Sequence, residues 1–277
     1  MARYFIAALI VGSLLSGASV SLARTPVNPE EATGWTEKSL ARADEYMISA
    51  ANPHASKAGL AMLDAGGSAV DAAIAAQLVL SLVEPQSSGL GGGGFMVVFD
   101  AANQRLRTYD ARETAPVDSN RSYFRVDGEV LPFWDAVNSG LSVGAPGLLR
   151  GLEKMHADGG RLPWADLFQP AIQLARDGFA VSPRLHGLLQ RSKELRQSKT
   201  ARSYFYDAQG KPRPVGYVLK NPALANVLEQ VARQGADAFY EGVIAHDIVS
   251  AVRSHPTPGA LSCAPSMGAL LRVQVPP

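Results

Sequence analysis

Two patterns in this 277-residue sequence could do chemistry, and neither is a complete catalytic set. The first is Glu84-Pro-Gln-Ser-Ser-Gly-Leu-Gly-Gly-Gly-Gly-Phe-Met-Val-Val-Phe99, in which Gly91, Gly92, Gly93 and Gly94 are consecutive. Glycine tolerates positive φ and lets backbone or a ligand come close, at about 0.5–1 kcal/mol per residue in regular structure. Gly89-Leu-Gly91-Gly-Gly-Gly94 formally fits the G-x-G-x-x-G dinucleotide fingerprint. That fingerprint needs a strand before it and a helix after it, so that the helix N-terminus meets the pyrophosphate. Here a helical pattern precedes and a strand pattern follows, and no Gly-Lys-Ser/Thr completes a phosphate loop. Two compatible readings remain: a tight structural joint, or backbone N–H groups facing a substrate. The second pattern is Arg112, at the end of an alternating strand and before the Pro116 turn. Its planar fork suits a carboxylate; the alternative is a structural pair with Glu113 or another acid.

Other chemistries find little support. His54, His156, His186, His246 and His255 are scattered, with no i, i+4 pair of the kind that binds zinc. They read as surface or capping residues. Cys263 is the single cysteine, so neither an internal disulfide nor a cysteine metal site is expected. No Ser/His/Asp set stands out. Asp44 and Asp64 have no evident acid–base partner, and Asp71 reads as a helix cap. No cofactor or metal is expected. A net charge of +1 gives no argument for nucleic acid or acidic lipid.

The elements that must hold these residues can be read in order. Residues 1–23 have the form of an export signal: Arg3, an apolar run from Tyr4 to Leu15, and small residues before a cut after Ala23. The run is too short for a comfortable membrane span. Removing it takes the net charge from +1 to zero. A periplasmic or secreted location is expected. Residues 24–44 read as a flexible lead-in. Tyr46 to Asn52 reads as a first strand, then Pro53 opens a helix that stops at Gly66-Gly67. Ser68-Ala-Val-Asp71 is a capping box with the shorter acid. The helix it starts, Ala69 to Val83, is apolar on nearly every face and should be buried.

Phe95 to Phe99 is a continuous apolar β-prone run, the pattern of a strand covered on both faces. Leu106 to Ala111 alternates and should pair with it as a hairpin. Residues 117–146 read as mostly irregular, anchored by Tyr123, Phe124, Phe133 and Trp134. Gly144-Ala-Pro-Gly147 leads into a helix through His156, and Trp164 to Arg176 and Ser182 to Glu194 are helical. The basic, Pro- and Gly-containing stretch 198–216 reads as an exposed loop with a solvated charge. Asn221 to Gln234 and Ala236 to Ser254 complete a helical region. The proline-rich tail 255–277 should be disordered.

Taken together, the motifs resemble one family. Asn52-Pro-His-Ala-Ser-Lys-Ala-Gly, Leu63-Asp-Ala-Gly-Gly-Ser-Ala-Val-Asp-Ala-Ala-Ile-Ala-Ala and Glu84-Pro-Gln-Ser-Ser-Gly-Leu-Gly-Gly-Gly-Gly-Phe-Met look like γ-glutamyltranspeptidase (glutathione hydrolase). Asp110-Ala-Arg-Glu-Thr-Ala-Pro116, Gly144-Ala-Pro-Gly147, Ala175-Arg-Asp-Gly-Phe179 and Phe239-Tyr-Glu-Gly-Val-Ile-Ala245 follow in the family's order, within a large-subunit-like domain spanning residues 45–254. The resemblance implies an α/β fold of the N-terminal-nucleophile hydrolase type (αββα), two stacked sheets between helical layers, of which this is the large-subunit half. It implies a proenzyme that cuts itself to expose a threonine whose hydroxyl is the nucleophile and whose free amine is the base. The substrate is a γ-glutamyl compound such as glutathione, and the γ-glutamyl group passes to water or an amino acid. By matched position, Arg112 would hold the α-carboxylate of that group.

The sequence also departs from the family. Thr25, Thr33, Thr36, Thr108, Thr114, Thr200 and Thr257 all lack the nucleophile's Thr-Thr-His-type context. The family's nucleophile lies in a second, small subunit encoded after the region seen here, so no catalytic residue is assigned and the isolated chain is expected to be inactive. Beyond Ser254 the family pattern fails: Thr257-Pro-Gly-Ala-Leu-Ser262 could begin the expected segment, but from Cys263 nothing agrees, for which a frameshift or premature stop is the simplest account. The alternatives are a non-catalytic exported fragment and an amidohydrolase relative of the cephalosporin-acylase kind, because such acylases also bind carboxylated groups.

Overall fold

The computed structural model describes residues 37–263 and the backbone of Arg272–Gln274. The expected signal peptide (1–23), most of the lead-in and, in the tail, residues 264–271 and 275–277 lie outside the described residues. Of the compact unit Met1–Leu40, residues 37–40 are described; they are exposed and without regular structure. All that follows concerns the unit Ala41–Pro277.

Helix α1 (Pro53–Asp64) opens where the sequence marks it. Asn52 accepts the His54 N–H at 3.0 Å, and Pro53 sits at a first-turn position where an N–H is not required. The helix closes on left-handed Gly66 (φ 83°). Gly66 N–H bonds Leu63 O and Gly67 N–H bonds Met62 O, both at 2.9 Å, a Schellman closure. Ser68 then starts α2 (Ala69–Val83) through a reciprocal capping box with Asp71. Asp71 does more than cap. Its Oδ2 also accepts the N–H groups of Arg161 (2.9 Å) and Leu162 (3.3 Å), which ties that loop to the start of α2. As its composition requires, α2 is buried, with Ile74, Ala75 and Leu78 at 0% exposure.

After the glycine joint, β1 (Gly94–Asp100) and β2 (Arg105–Ala111) form an antiparallel hairpin in the register Gly94↔Ala111 to Asp100↔Arg105. Two short strands, β3 (Arg125–Val126) and β4 (Glu129–Val130), pair with each other before α3 (Phe133–Val137). A 3₁₀ turn at Gly140–Ser142 precedes α4 (Leu148–Gly159), and a second at Trp164–Phe168 runs into α5 (Gln169–Asp177). Strand β5 (Phe179–Ala180) follows, then α6 (Pro183–Arg191), capped by Ser182, and α7 (Lys199–Phe205), capped by Ser198. Strand β6 (Val218–Leu219) returns to pair with β5. Helices α8 (Pro222–Gln234), α9 (Asp237–Tyr240) and α10 (Gly242–Arg253) complete the helical region. Strand β7 (Arg272–Gln274) pairs antiparallel with β2, giving the order β1-β2-β7.

The hairpin has one covered face. Met96 and Val98 pack on the helical core, and Tyr109 is 1% exposed, its hydroxyl donating to Asp158 Oδ2 on α4 at 3.0 Å. The opposite face presents Phe95, Val97 and Phe99 at 67%, 67% and 58% exposure, with Leu106 beside them. This corrects the expectation of a strand covered on both sides. The composition is that of a two-sided strand, and the described residues supply a layer to only one side.

Three further expectations are revised. Tyr46–Asn52 is not a strand, because a strand exists only within a ladder and no described residue pairs with it. The 198–216 stretch is not an open loop: it contains α7, and Tyr206 is 1% exposed with its hydroxyl donating to Leu189 O at 2.9 Å. Residues 255–263 are packed rather than disordered. Leu261 is fully buried and its carbonyl accepts from Arg253 Nε at 2.9 Å, while Gly140 N–H donates to Thr257 O at 2.8 Å. Among the described residues, no helix is long and apolar enough to cross a membrane.

Candidate active site

The glycine joint and Arg112 meet at the same place. Arg112 follows the last residue of β2, and β1 enters opposite it, so Gly93 packs directly on the 111–113 backbone. A Cβ on Gly93 would lie 2.5 Å from Ala111 O and 2.7 Å from both Arg112 Cα and Glu113 N. From the other side, a Cβ on Gly147 would lie 2.4 Å from Ala111 O, and one on Gly144 would lie 2.8 Å from Thr114 O. The segment carrying Arg112 is thus clamped between two glycine turns, 91–94 and 144–147. The clamp is also hydrogen-bonded. Gly92 O accepts from Gly147 and Leu148 N–H, both at 3.1 Å, and Thr114 exchanges two backbone bonds with Ala145. None of Gly91, Gly92, Gly93 and Gly94 has positive φ. What this run provides is closeness rather than an unusual turn, and Gly91 has nothing within 4 Å of a built Cβ.

In front of the clamp is an open cleft of about 710 Å³. Gly91, Arg112, Glu113 and Thr114 form one wall, and Asn120, Tyr123, Phe124, Ser142 and Val143 form the other. A second hollow of about 400 Å³ lies across the joint, lined by Gln77, Glu84, Ser88, Gly93 and Glu113. Glu113 therefore partitions the two. The Arg112 side chain is 61% exposed; its Nε pairs with Glu113 Oε2 at 2.9 Å, and its guanidinium lies 5.8 Å from the Phe95 ring centroid. Arg112 is thus paired with Glu113, as the structural reading expects, and it borders an open cleft beside the uncovered face of β1.

The far wall is anchored from a distance. Ala260 N–H donates to the Tyr123 hydroxyl at 2.7 Å, and Gly259 packs against Gly140 so closely that a side chain on either would strike the other's backbone. The start of the glycine joint is held by Glu84, 4% exposed, which accepts from Asn52 Nδ2 (2.9 Å) and Gln86 Nε2 (2.6 Å) and forms an ion pair with Arg184 of α6. Glu84 was not singled out by sequence, since an acid before proline has no periodic or local mark of burial. In the walls from 117–146 the sequence marks Tyr123 and Phe124 as anchors and the Gly144–Gly147 turn, but gives no periodic pattern.

The scattered histidines serve locally: His156 Nε2 lies 2.9 Å from Leu162 O and 3.7 Å from Asp71 Oδ1, and His186 Nδ1 lies 2.9 Å from Arg213 O. Of the threonines, Thr114 borders the cleft, but as a chain-interior residue whose amide N–H bonds Ala145 O at 3.2 Å. Among the described residues, no group of three or more His, Cys, Asp or Glu could hold a metal ion.

An α-helical layer packed on a sheet whose second face is open and apolar is one part of a stacked-sheet protein, and the solved structures it resembles are N-terminal-nucleophile hydrolases. The chain superposes on the crystal structure of Helicobacter pylori γ-glutamyltranspeptidase with a TM-score of 0.80 at 28% identity, covering 85% of this chain and 67% of that one. Cephalosporin acylase from Bacillus halodurans shares the fold, with a TM-score of 0.67 at 24% identity over 87% of this chain and 46% of that one. Residues 55–263 match the γ-glutamyltranspeptidase family, and the chain belongs to it. The glutathione hydrolase proenzyme of Bacillus subtilis is 36% identical over 208 residues, 75% of this chain and 35% of that protein. The chain spans under half the length of such curated relatives.

Proposed function

We propose that this chain supplies the head-group cradle of a γ-glutamyl hydrolase and transferase acting on glutathione and related γ-glutamyl amides. The observation that carries this reading is the state of Arg112. Glu113 engages its Nε and fixes the guanidinium plane, while among the described residues no partner takes either Nη. A paired but rim-exposed arginine of this kind can receive the α-carboxylate of a γ-glutamyl group as a two-pronged, charge-assisted contact. Holding that remote carboxylate positions the scissile amide without touching it. The attacking group is then a threonine hydroxyl with its own free amine as base, as in the family's chemistry. None of Thr108, Thr114, Thr200 and Thr257 stands in the nucleophile's Thr-Thr-His-type context, so in this reading the nucleophile comes from the small-subunit portion of the same fold. That portion is also the partner that lays a second sheet over Phe95, Val97 and Phe99. Arg3, the apolar run from Tyr4 to Leu15 and the small residues before a cut after Ala23 support export, to the periplasm or outside the cell.

Ligand-observed NMR with glutathione and the 277-residue chain tests this. Binding is expected to weaken about tenfold or more in Arg112→Ala, the worth of a lost charge-assisted hydrogen bond, and to be partly kept in Arg112→Lys. The chain alone is expected to give no turnover of γ-glutamyl-p-nitroanilide. Unchanged glutathione binding in Arg112→Ala would overturn the assignment. A preference for aliphatic or aromatic acyl amides with a distal carboxylate would move it to the acylase relatives.

A further inference from the structure

Far along the chain from the cleft, α7 and the turn after it build a second concave site that the γ-glutamyl reading does not use. The hollow holds about 500 Å³, and its charged lining is Arg196, Lys199, Arg202 and Arg213 against the single acid Asp207. Asp207 is already engaged: its Oδ1 accepts the N–H groups of Gln209 (3.0 Å) and Lys211 (2.8 Å) and holds the 207–211 turn. The floor is the buried Tyr206, whose ring lies 5.5 Å below the Arg196 guanidinium. Arg196 is further fixed by its Nη2 donating to Gln190 O at 2.8 Å. Arg213 lies 4.5 Å from the Tyr217 ring centroid, and its buried Nε has no hydrogen-bond partner among the described residues. The Lys199 and Arg202 side chains make no ion pair with any described acid.

We propose that this hollow is a binding site for a phosphate-bearing anion. Clustering four cations around one cavity is unfavourable unless acids or a bound anion offset them, and the acid present serves its own turn. Arginine forks match phosphate oxygens in pairs, and two of the three arginines are held in place by aromatic faces. A small ordered phosphate group meets a pre-set array here, and the hollow falls within the size range of small-molecule sites.

Isothermal titration calorimetry on the 277-residue chain tests the site with three probes: inorganic phosphate, pyrophosphate, and phosphatidylglycerol/phosphatidylcholine vesicles. Saturable binding of pyrophosphate is expected, stronger than that of inorganic phosphate. In the combined variant Lys199→Ala/Arg202→Ala it should weaken about tenfold or more, as for the loss of charge-assisted hydrogen bonds. Both side chains are exposed, and an unchanged melting temperature checks that the fold is kept; Arg202→Gln alone serves if it is not. Binding to vesicles but not to the free anions would assign the site to a lipid headgroup, with the same dependence on Arg202. Absence of saturable binding to all three probes, or binding equal in native and variant chains, would overturn the proposal. Glutathione binding should be untouched by these variants, which separates this result from the fate of the Arg112 cradle.

Discussion

Replacing Gly93 with alanine while leaving Gly91 alone, and the reverse, is the sharpest test of how the cleft is built. Both residues sit in the same glycine run and neither has positive φ, so neither substitution forces a strained backbone. At Gly91 a Cβ meets nothing within 4 Å, and alanine only narrows the unfolded ensemble, which stabilises by about 0.4–1 kcal/mol. At Gly93 the same Cβ comes within 2.7 Å of Arg112 Cα and Glu113 N and within 2.5 Å of Ala111 O. All three are backbone atoms on a segment clamped from its other side by Gly147 and cannot swing away as a side-chain tip would. Overpacking of this kind costs about 1–3 kcal/mol, occasionally more. With the entropic gain subtracted, Gly93→Ala should destabilise by about 1–2 kcal/mol. For a chain of this size that lowers the melting temperature by about 2–8 °C, whereas Gly91→Ala should leave it level or raise it. Thermal melts followed by circular dichroism on both variants measure the difference. Equal melting temperatures for the two would refute the claim that the glycine run exists to let β1 lie on the Arg112 backbone.

Glu84→Ala removes the buried carboxylate shared by Asn52, Gln86 and Arg184. Urea titration should show a loss of about 2–3 kcal/mol, below the full figure for a wholly buried pair because Arg184 is partly exposed. Burial pushes the Asp158 carboxyl up, but hydrogen bonds from Lys154 and Tyr109 and the charges of Lys154 and Arg107 outweigh it, so the group is held below the usual range. Its stabilisation is complete above the unfolded value of about 3.9 and is lost as pH falls through the folded value. Acid unfolding should therefore be less steep in Asp158→Asn. Burial, reinforced at Tyr109 by Asp158, pushes Tyr109, Tyr204 and Tyr240 up to about 12. Their contribution is complete below the unfolded value of about 10 and is lost as pH rises from there to about 12. In a phenolate absorbance titration these three should ionise with unfolding; ionisation of all eight tyrosines near pH 10 in a still-folded chain would contradict this. Finally, Phe95→Ser/Val97→Thr/Phe99→Ser should reduce self-association in size-exclusion chromatography, since burying the three side chains is worth about 4 kcal/mol at their present exposure.

What the sequence made legible was local. The Ser68–Asp71 capping box, the Gly66 closure, the Pro53 start and the pairing of the two strands as a hairpin are each written within a few residues of where they act. The Arg112 site was half legible. A glycine run and an arginine at a strand end were each visible, but their contact depends on β1 and β2 pairing in register, and the opposing wall comes from residues with no periodic pattern. The misreadings share a cause. Phe95–Phe99 was read from its own composition, yet what covers a strand is supplied by another layer. The 198–216 stretch carried Ser198 three residues before Ala201, a cap signal that its many cations obscured, and Leu261 is fully buried without any periodic pattern of its own.

The passage of residues 257–261 along the Tyr123 wall links one rim of the cleft to whatever happens downstream of α10. Two bonds, Gly140 N–H to Thr257 O and Ala260 N–H to the Tyr123 hydroxyl, moor that rim to the segment that follows α10. A proteolytic nick or a tug applied there would slacken the mooring and let the mouth gape, with no change to Arg112 or to the glycines behind it.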